Sequence, residues 1–155
     1  MTPISPGQLI IGVGNSLRSD DGVGIWVARR LREQLPPGIS VVEASGEGAS
    51  LIDMWKGFAS VILVDAVSSG TAPGTVHRLD AAEPVRAQFF RCSSHAFGVG
   101  EAVELARVLN QLPPRLIIYG IEGANFAAGA ELSPVVARSA AEASDRILKD
   151  IRVEF

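Results

Sequence analysis

Residues 10–24 run Ile10-Ile11-Gly12-Val13-Gly14-Asn15-Ser16-Leu17-Arg18-Ser19-Asp20-Asp21-Gly22-Val23-Gly24. The stretch opens as an apolar run fit for a buried strand. It then turns through glycines and an asparagine and ends on two carboxylates that start a helix. Glycine serves where the chain must turn tightly or approach something closely. Ser19 or Asp20 is a natural helix N-cap, which leaves Asp21 in the first turn, where a negative charge suits the helix dipole. On that reading Asp21 is a cap-region carboxylate before it is anything else.

Working outward, residues 8–13 form a strand apolar enough to be buried on both faces. A helix follows over 20–35, with Gly24, Ala28, Leu31 and Leu35 on one face, and Pro36-Pro37-Gly38 stops it. Residues 39–44 are a second strand, and Ala49 to Lys56 a short helix. Residues 59–66 are the strongest strand of the chain, a β-branched run ending on Asp65. A turn-rich loop over 68–74 leads to a short strand over Thr75–Leu79 at a sheet edge. Residues 81–94 carry no clear pattern. A helix is expected over 96–111, with Ala102, Leu105, Ala106 and Leu109 on its buried face. Residues 115–121 are another buried strand and 122–131 a Gly/Ala-rich loop. Ser133-Pro134 places a cap before proline at the first helical position, opening a last helix that runs to about Asp150. The order predicts one α/β domain over residues 1–155: a twisted, mostly parallel sheet of about five strands with helices on both faces.

Composition agrees with a globular chain of 155 residues, 47% hydrophobic and 20% charged. A chain of this length buries roughly 70% of its unfolded surface, so neither a disulfide nor a structural metal is needed for folding. The net charge of −3 and the lack of a basic stripe speak against nucleic acid as a partner. Cys92 is the only cysteine, which suits a reducing compartment. The first residues lack a signal-peptide pattern and no apolar run is long enough for a membrane span, so a cytoplasmic location is expected.

Gly12-Val13-Gly14 suggests a nucleotide loop, but Leu17 stands where the dinucleotide fingerprint needs its third glycine. The P-loop lysine is missing as well. Two carboxylates at the helix start would repel phosphate. No nucleotide cofactor is expected.

In open α/β sheets, sites form beyond the C-terminal ends of the strands. The strand order brings Asp21, Asp65 and His95 to that rim. Two carboxylates and an imidazole suit zinc, nickel or iron, and they suit acid–base work equally well. Each also has a plain structural use: Asp21 as a cap, Asp65 as a turn cap, His95 as a solvated loop residue. His77, in the edge strand, reads as structural. Cys92 reads as a small buried filler, since nothing in the sequence lowers its pKa.

The ordered set of Gly12-Val-Gly-Asn15, Asp20-Asp21-Gly22-Val-Gly24, Val61-Ile-Leu-Val-Asp65-Ala66, Pro73-Gly74-Thr75, Ser94-His95-Ala-Phe-Gly98, Gly120-Ile121-Glu122 and Leu132-Ser133-Pro134 resembles the [NiFe]-hydrogenase maturation endopeptidases. The wording Ser93-Ser94-His95-Ala96-Phe97-Gly98 is similar to the branch serving bidirectional, NAD(P)-linked hydrogenases. The resemblance implies an enzyme that removes a short C-terminal peptide from a hydrogenase large-subunit precursor after nickel insertion. It implies that Asp21, Asp65 and His95 are the catalytic and metal-engaging residues, with the nickel supplied by the substrate.

Two mechanisms fit that resemblance. In one the three residues engage substrate-held nickel, which gates docking. In the other Asp21 or Asp65 is the general base of an aspartic-type hydrolysis and His95 protonates the leaving amine. A metal-dependent small-peptide hydrolase and a non-catalytic chaperone of the nickel-loaded subunit are the alternatives. This chain departs from the family's pattern in three places, one being Asp21, where some relatives carry Glu. Glu43-Ala44-Ser45-Gly46 stands where an Asp-Gly-Gly-Thr segment is common, so Glu43 is the candidate replacement acid. Gly123 stands where proline is common, which should loosen that loop.

Overall fold

A computed structural model describes residues 7–85 and 97–154 of the chain. Five strands form one sheet: β1 (Gln8–Val13), β2 (Ile39–Ala44), β3 (Ser60–Val67), β4 (Val76–Asp80) and β5 (Arg115–Glu122). Their order is β2-β1-β3-β5-β4. All neighbours are parallel except β4, which pairs antiparallel with β5 at the edge. The expected mostly parallel five-stranded sheet is therefore what the chain forms.

Among the described residues four α-helices cover the sheet: α1 (Val23–Gln34), α2 (Gly48–Trp55), α3 (Val99–Val108) and α4 (Pro134–Glu154). Strand alternation sends two sets of side chains to opposite faces. Leu9, Ile11, Leu63 and Ile118 pack with α2 and α3. Ile10, Ile62, Val64 and Ile117 pack with α1 and α4. Burial on both faces explains why β1, β3 and β5 read as continuous apolar runs rather than alternating ones.

Most strand boundaries fall within a residue of expectation, and three helix differences have an identifiable cause. The helix expected over 20–35 begins as a separate 3-10 turn, Ser19–Gly22, before α1. Neither Ser19 nor Asp20 caps it; Gly22 precedes α1 without a side-chain cap, and both polar side chains are engaged elsewhere. Secondly, α2 starts at Gly48 because the Glu47 carboxylate accepts from the amides of Ala49 and Ser50, a cap. Thirdly, α3 is shorter than 96–111 and turned on its axis. Val99, Ala102, Val103 and Ala106 are its buried face, while Leu105 and Leu109 are 39% and 52% exposed.

Candidate active site

Close approach of α1 to the sheet sets the site. A Cβ on Gly24 would lie 2.4 Å from the Val13 carbonyl oxygen and 2.3 Å from that of Val64, so the first turn of α1 rests directly on the β1 and β3 backbones. Gly14 has φ +146°, and a Cβ there would fall 1.9 Å from the Asp21 carbonyl oxygen. These contacts bring the 3-10 turn carrying Asp21 down onto the C-terminal tips of β1 and β3.

Asp21 and Asp65 line the same cavity of about 490 Å³, together with Asn15, Glu43 and Ser45. They are 8% and 4% exposed. The Asn15 amide donates to Asp21 Oδ2 at 3.0 Å, and the Ala66 amide to Asp65 Oδ1 at 2.8 Å. Burial pushes the Asp65 carboxyl well above its ordinary value, and the Asp21 charge adds to this; the Ala66 amide opposes both. Two carboxylates on one cavity wall, one charge acting on the other, together attract a cation.

His95 and Cys92 lie outside the described residues. The described chain resumes at Phe97, whose carbonyl accepts from the Gly48 amide at 2.8 Å, three residues beyond Ser45 of the cavity wall. Among the described residues, no three His, Cys, Asp or Glu side chains gather to hold a metal. The described chain thus contributes two carboxylates, Asp21 and Asp65, that could hold a cation.

Glu43 does reach the cavity wall, but its carboxylate is held by two arginines: Arg29 Nε and Nη2 at 3.1 and 3.0 Å and Arg32 Nη1 at 3.3 Å. The Arg29 hydrogen bond foremost keeps its carboxyl below the ordinary value.

Asp20 is the residue that sequence reasoning assigned to the wrong task. It is fully buried. Its carboxylate accepts from the amides of Ala124, Asn125 and Ser133 and from Ser133 Oγ. Burial alone would raise its pKa, but these bonds outweigh it, with the Ser133 amide first, and hold it below the ordinary value. The loop after β5 is consequently pinned to the 3-10 turn. The Ser19 amide also donates to the Gly129 carbonyl at 2.8 Å. The Gly123 amide donates to the Val67 carbonyl at 3.1 Å, just before these contacts. His77 lies in the edge strand β4, as expected. Its Nε2 lies 3.3 Å from Oε1 of the buried Glu122, which also binds Ser69.

Fold and site together define an α/β protein with a paired-carboxylate cleft at the strand tips. Residues 25–150 match the family model described as hydrogenase maturation protease. The hydrogenase expression/formation protein HupM of Azotobacter chroococcum is 31% identical over 129 residues, covering 81% of this chain and 62% of that protein. The chain therefore spans under two thirds of that relative's length. The hydrogenase 2 maturation protease of Escherichia coli is 25% identical over 147 residues, covering 93% of this chain and 90% of that one. A solution structure of an endopeptidase from Escherichia coli superposes with a TM-score of 0.82 at 26% identity, covering 96% and 93% of the two chains. This chain belongs to the hydrogenase maturation protease family.

Proposed function

We propose that this chain is an endopeptidase that removes a C-terminal peptide from a [NiFe]-hydrogenase large-subunit precursor after nickel insertion. The observation that carries this reading is the pair of buried carboxylates, Asp21 and Asp65, on one cavity wall in a chain of this family.

Two buried carboxylates in contact with one cavity are costly when both are ionised. A divalent cation brought by the substrate removes that cost, because it favours both charged forms at once. Nickel already seated in the precursor is such a cation, and Asp21 and Asp65 are the groups that engage it. His95 completes the set on the strength of the family resemblance. Docking then depends on the metal, so an empty precursor leaves the scissile bond unplaced. Hydrolysis itself needs water to add to the carbonyl carbon and a proton to reach the leaving amine. The partner is the precursor protein, which fits a site open at the strand tips rather than an enclosed small-molecule pocket.

The test is the intact mass of a large-subunit precursor before and after incubation with this protein, with nickel loaded or withheld. Loss of a C-terminal peptide from the nickel-loaded precursor alone supports the reading. Binding without loss of mass would make the protein a chaperone instead.

A further inference from the structure

A second groove, of about 310 Å³, runs along α1 between Trp26 and Arg30 on one side and Ala130 and Leu132 on the other. Ser16 and Ile25 line both this groove and the cavity of Asp21 and Asp65, so the two adjoin. Their charges differ in sign. The cavity presents carboxylates, whereas the groove presents the guanidinium groups of Arg29 and Arg30, with Glu33 the carboxylate on its wall.

The two arginines are not equivalent. Arg29 is committed to Glu43 through two hydrogen bonds. Arg30 makes no ion pair among the described residues, not even with Glu33 one turn along the helix. Its guanidinium carbon stands 5.5 Å from the centroid of the Trp26 ring, over the ring face. Its Nε is buried and has no hydrogen-bond partner. Its terminal amino groups make no hydrogen bond among the described residues and are not buried as Nε is, so they can take an arriving carboxylate through charge-assisted bonds.

We propose that this groove seats the segment cut from the substrate and that Arg30 receives its terminal carboxylate. The inference rests on the endopeptidase reading above. Any segment removed from a chain's C-terminus is bonded at one end to the scissile position and carries a carboxylate at the other. A path from the Asp21/Asp65 cavity past Ser16 and Ile25 to Arg30 matches that polarity. A groove of this volume lies at the small end of ligand sites, with room for a short extended peptide and not for a folded one.

The probe is a synthetic peptide of the released sequence, labelled at its N-terminus and made as the free acid and as the C-terminal amide. Fluorescence anisotropy with the full chain is expected to show the free acid binding about tenfold more tightly than the amide, the scale of one charge-assisted contact. Arg30→Gln should weaken the free acid to the level of the amide and leave the amide unchanged. Arg30→Lys should retain most of the preference, and unchanged thermal melting of both variants excludes misfolding.

Equal binding of acid and amide overturns the proposal, as does an equal loss of both in Arg30→Gln or no binding of the free acid. Loss of affinity on neutralising internal acidic side chains instead of the terminus overturns it too, because the recognised carboxylate is then a side chain. Failure of the wild-type protein to cut the nickel-loaded precursor would sink the endopeptidase reading, while the acid–amide comparison would still decide what the groove binds. Where cutting occurs, a Gly-Ser-Gly extension beyond the natural end should raise KM and spare kcat. Arg30→Gln should then add no further increase in KM.

Discussion

Asp20 and Ser133 are joined twice across 113 residues: the Ser133 amide meets Oδ1 at 2.7 Å and its Oγ meets Oδ2 at 2.8 Å. This knot fastens the start of α4 to the turn that presents Asp21. Asp20→Ala leaves the part-buried amides of Ala124, Asn125 and Ser133 without their acceptor. It should destabilise the fold by about 3 kcal/mol or more, read from urea unfolding. The carboxyl is held below its ordinary value, so its contribution is present above the unfolded pKa and lost as pH falls through the folded one. The gap between wild type and Asp20→Ala should therefore narrow in acid. A constant gap at every pH would show that the charge of Asp20 is not what holds the loop.

Asp65 works in the opposite sense. Its folded pKa is raised by burial and by Asp21, so the fold favours the protonated form, and stability is lost as pH rises through the folded pKa. Asp65→Asn keeps an acceptor for the Ala66 amide and removes the charge. Its melting temperature should exceed that of the wild type at neutral and alkaline pH, and the difference should vanish in acid. A variant less stable than wild type at pH 8 would refute the assigned environment.

Gly14→Ala tests the approach of the turn to β1. The new methyl would sit on the Asp21 carbonyl oxygen in a backbone conformation that L side chains rarely adopt. A loss of about 2–4 kcal/mol is expected in denaturant titration. Processing should fall even at temperatures where the variant remains folded, because the oxygen that must move belongs to Asp21. Full activity in the folded variant would uncouple this glycine from the site.

Glu43→Gln should be mild. The carboxylate is partly exposed and its charge is already balanced by Arg29 and Arg32, so its removal should cost under about 1 kcal/mol. Processing should stay within a few-fold of wild type. Abolition of processing by Glu43→Gln would instead place Glu43 among the groups that engage the substrate.

The central strands were legible because each is buried on both faces, and β1 falls on the expected residues 8–13; β2, only partly buried at the sheet edge, also falls on its expected residues 39–44. Placement of Asp21 and Asp65 at one rim followed from strand order and strand-end position, which are local signals. What stayed hidden was non-local. Nothing in Ser19-Asp20 announces that Asp20 binds Ser133, so local capping rules gave it a task it does not perform. In α3 the small residues Ala102 and Ala106 were placed correctly. The bulkier Leu105 and Leu109 were expected inside, yet helix rotation against α2 turned them outward. The partners of His77 and Glu43 likewise come from other elements, beyond the reach of sequence spacing.

Processing of a nickel-loaded precursor by Asp21→Asn and Asp65→Asn, followed by intact mass beside the wild type, tests the central claim most directly. The account predicts that both variants remain folded and that neither releases the C-terminal peptide over a period in which the wild type completes the cut. Release at the wild-type rate by both folded variants would contradict it and remove Asp21 and Asp65 from the site.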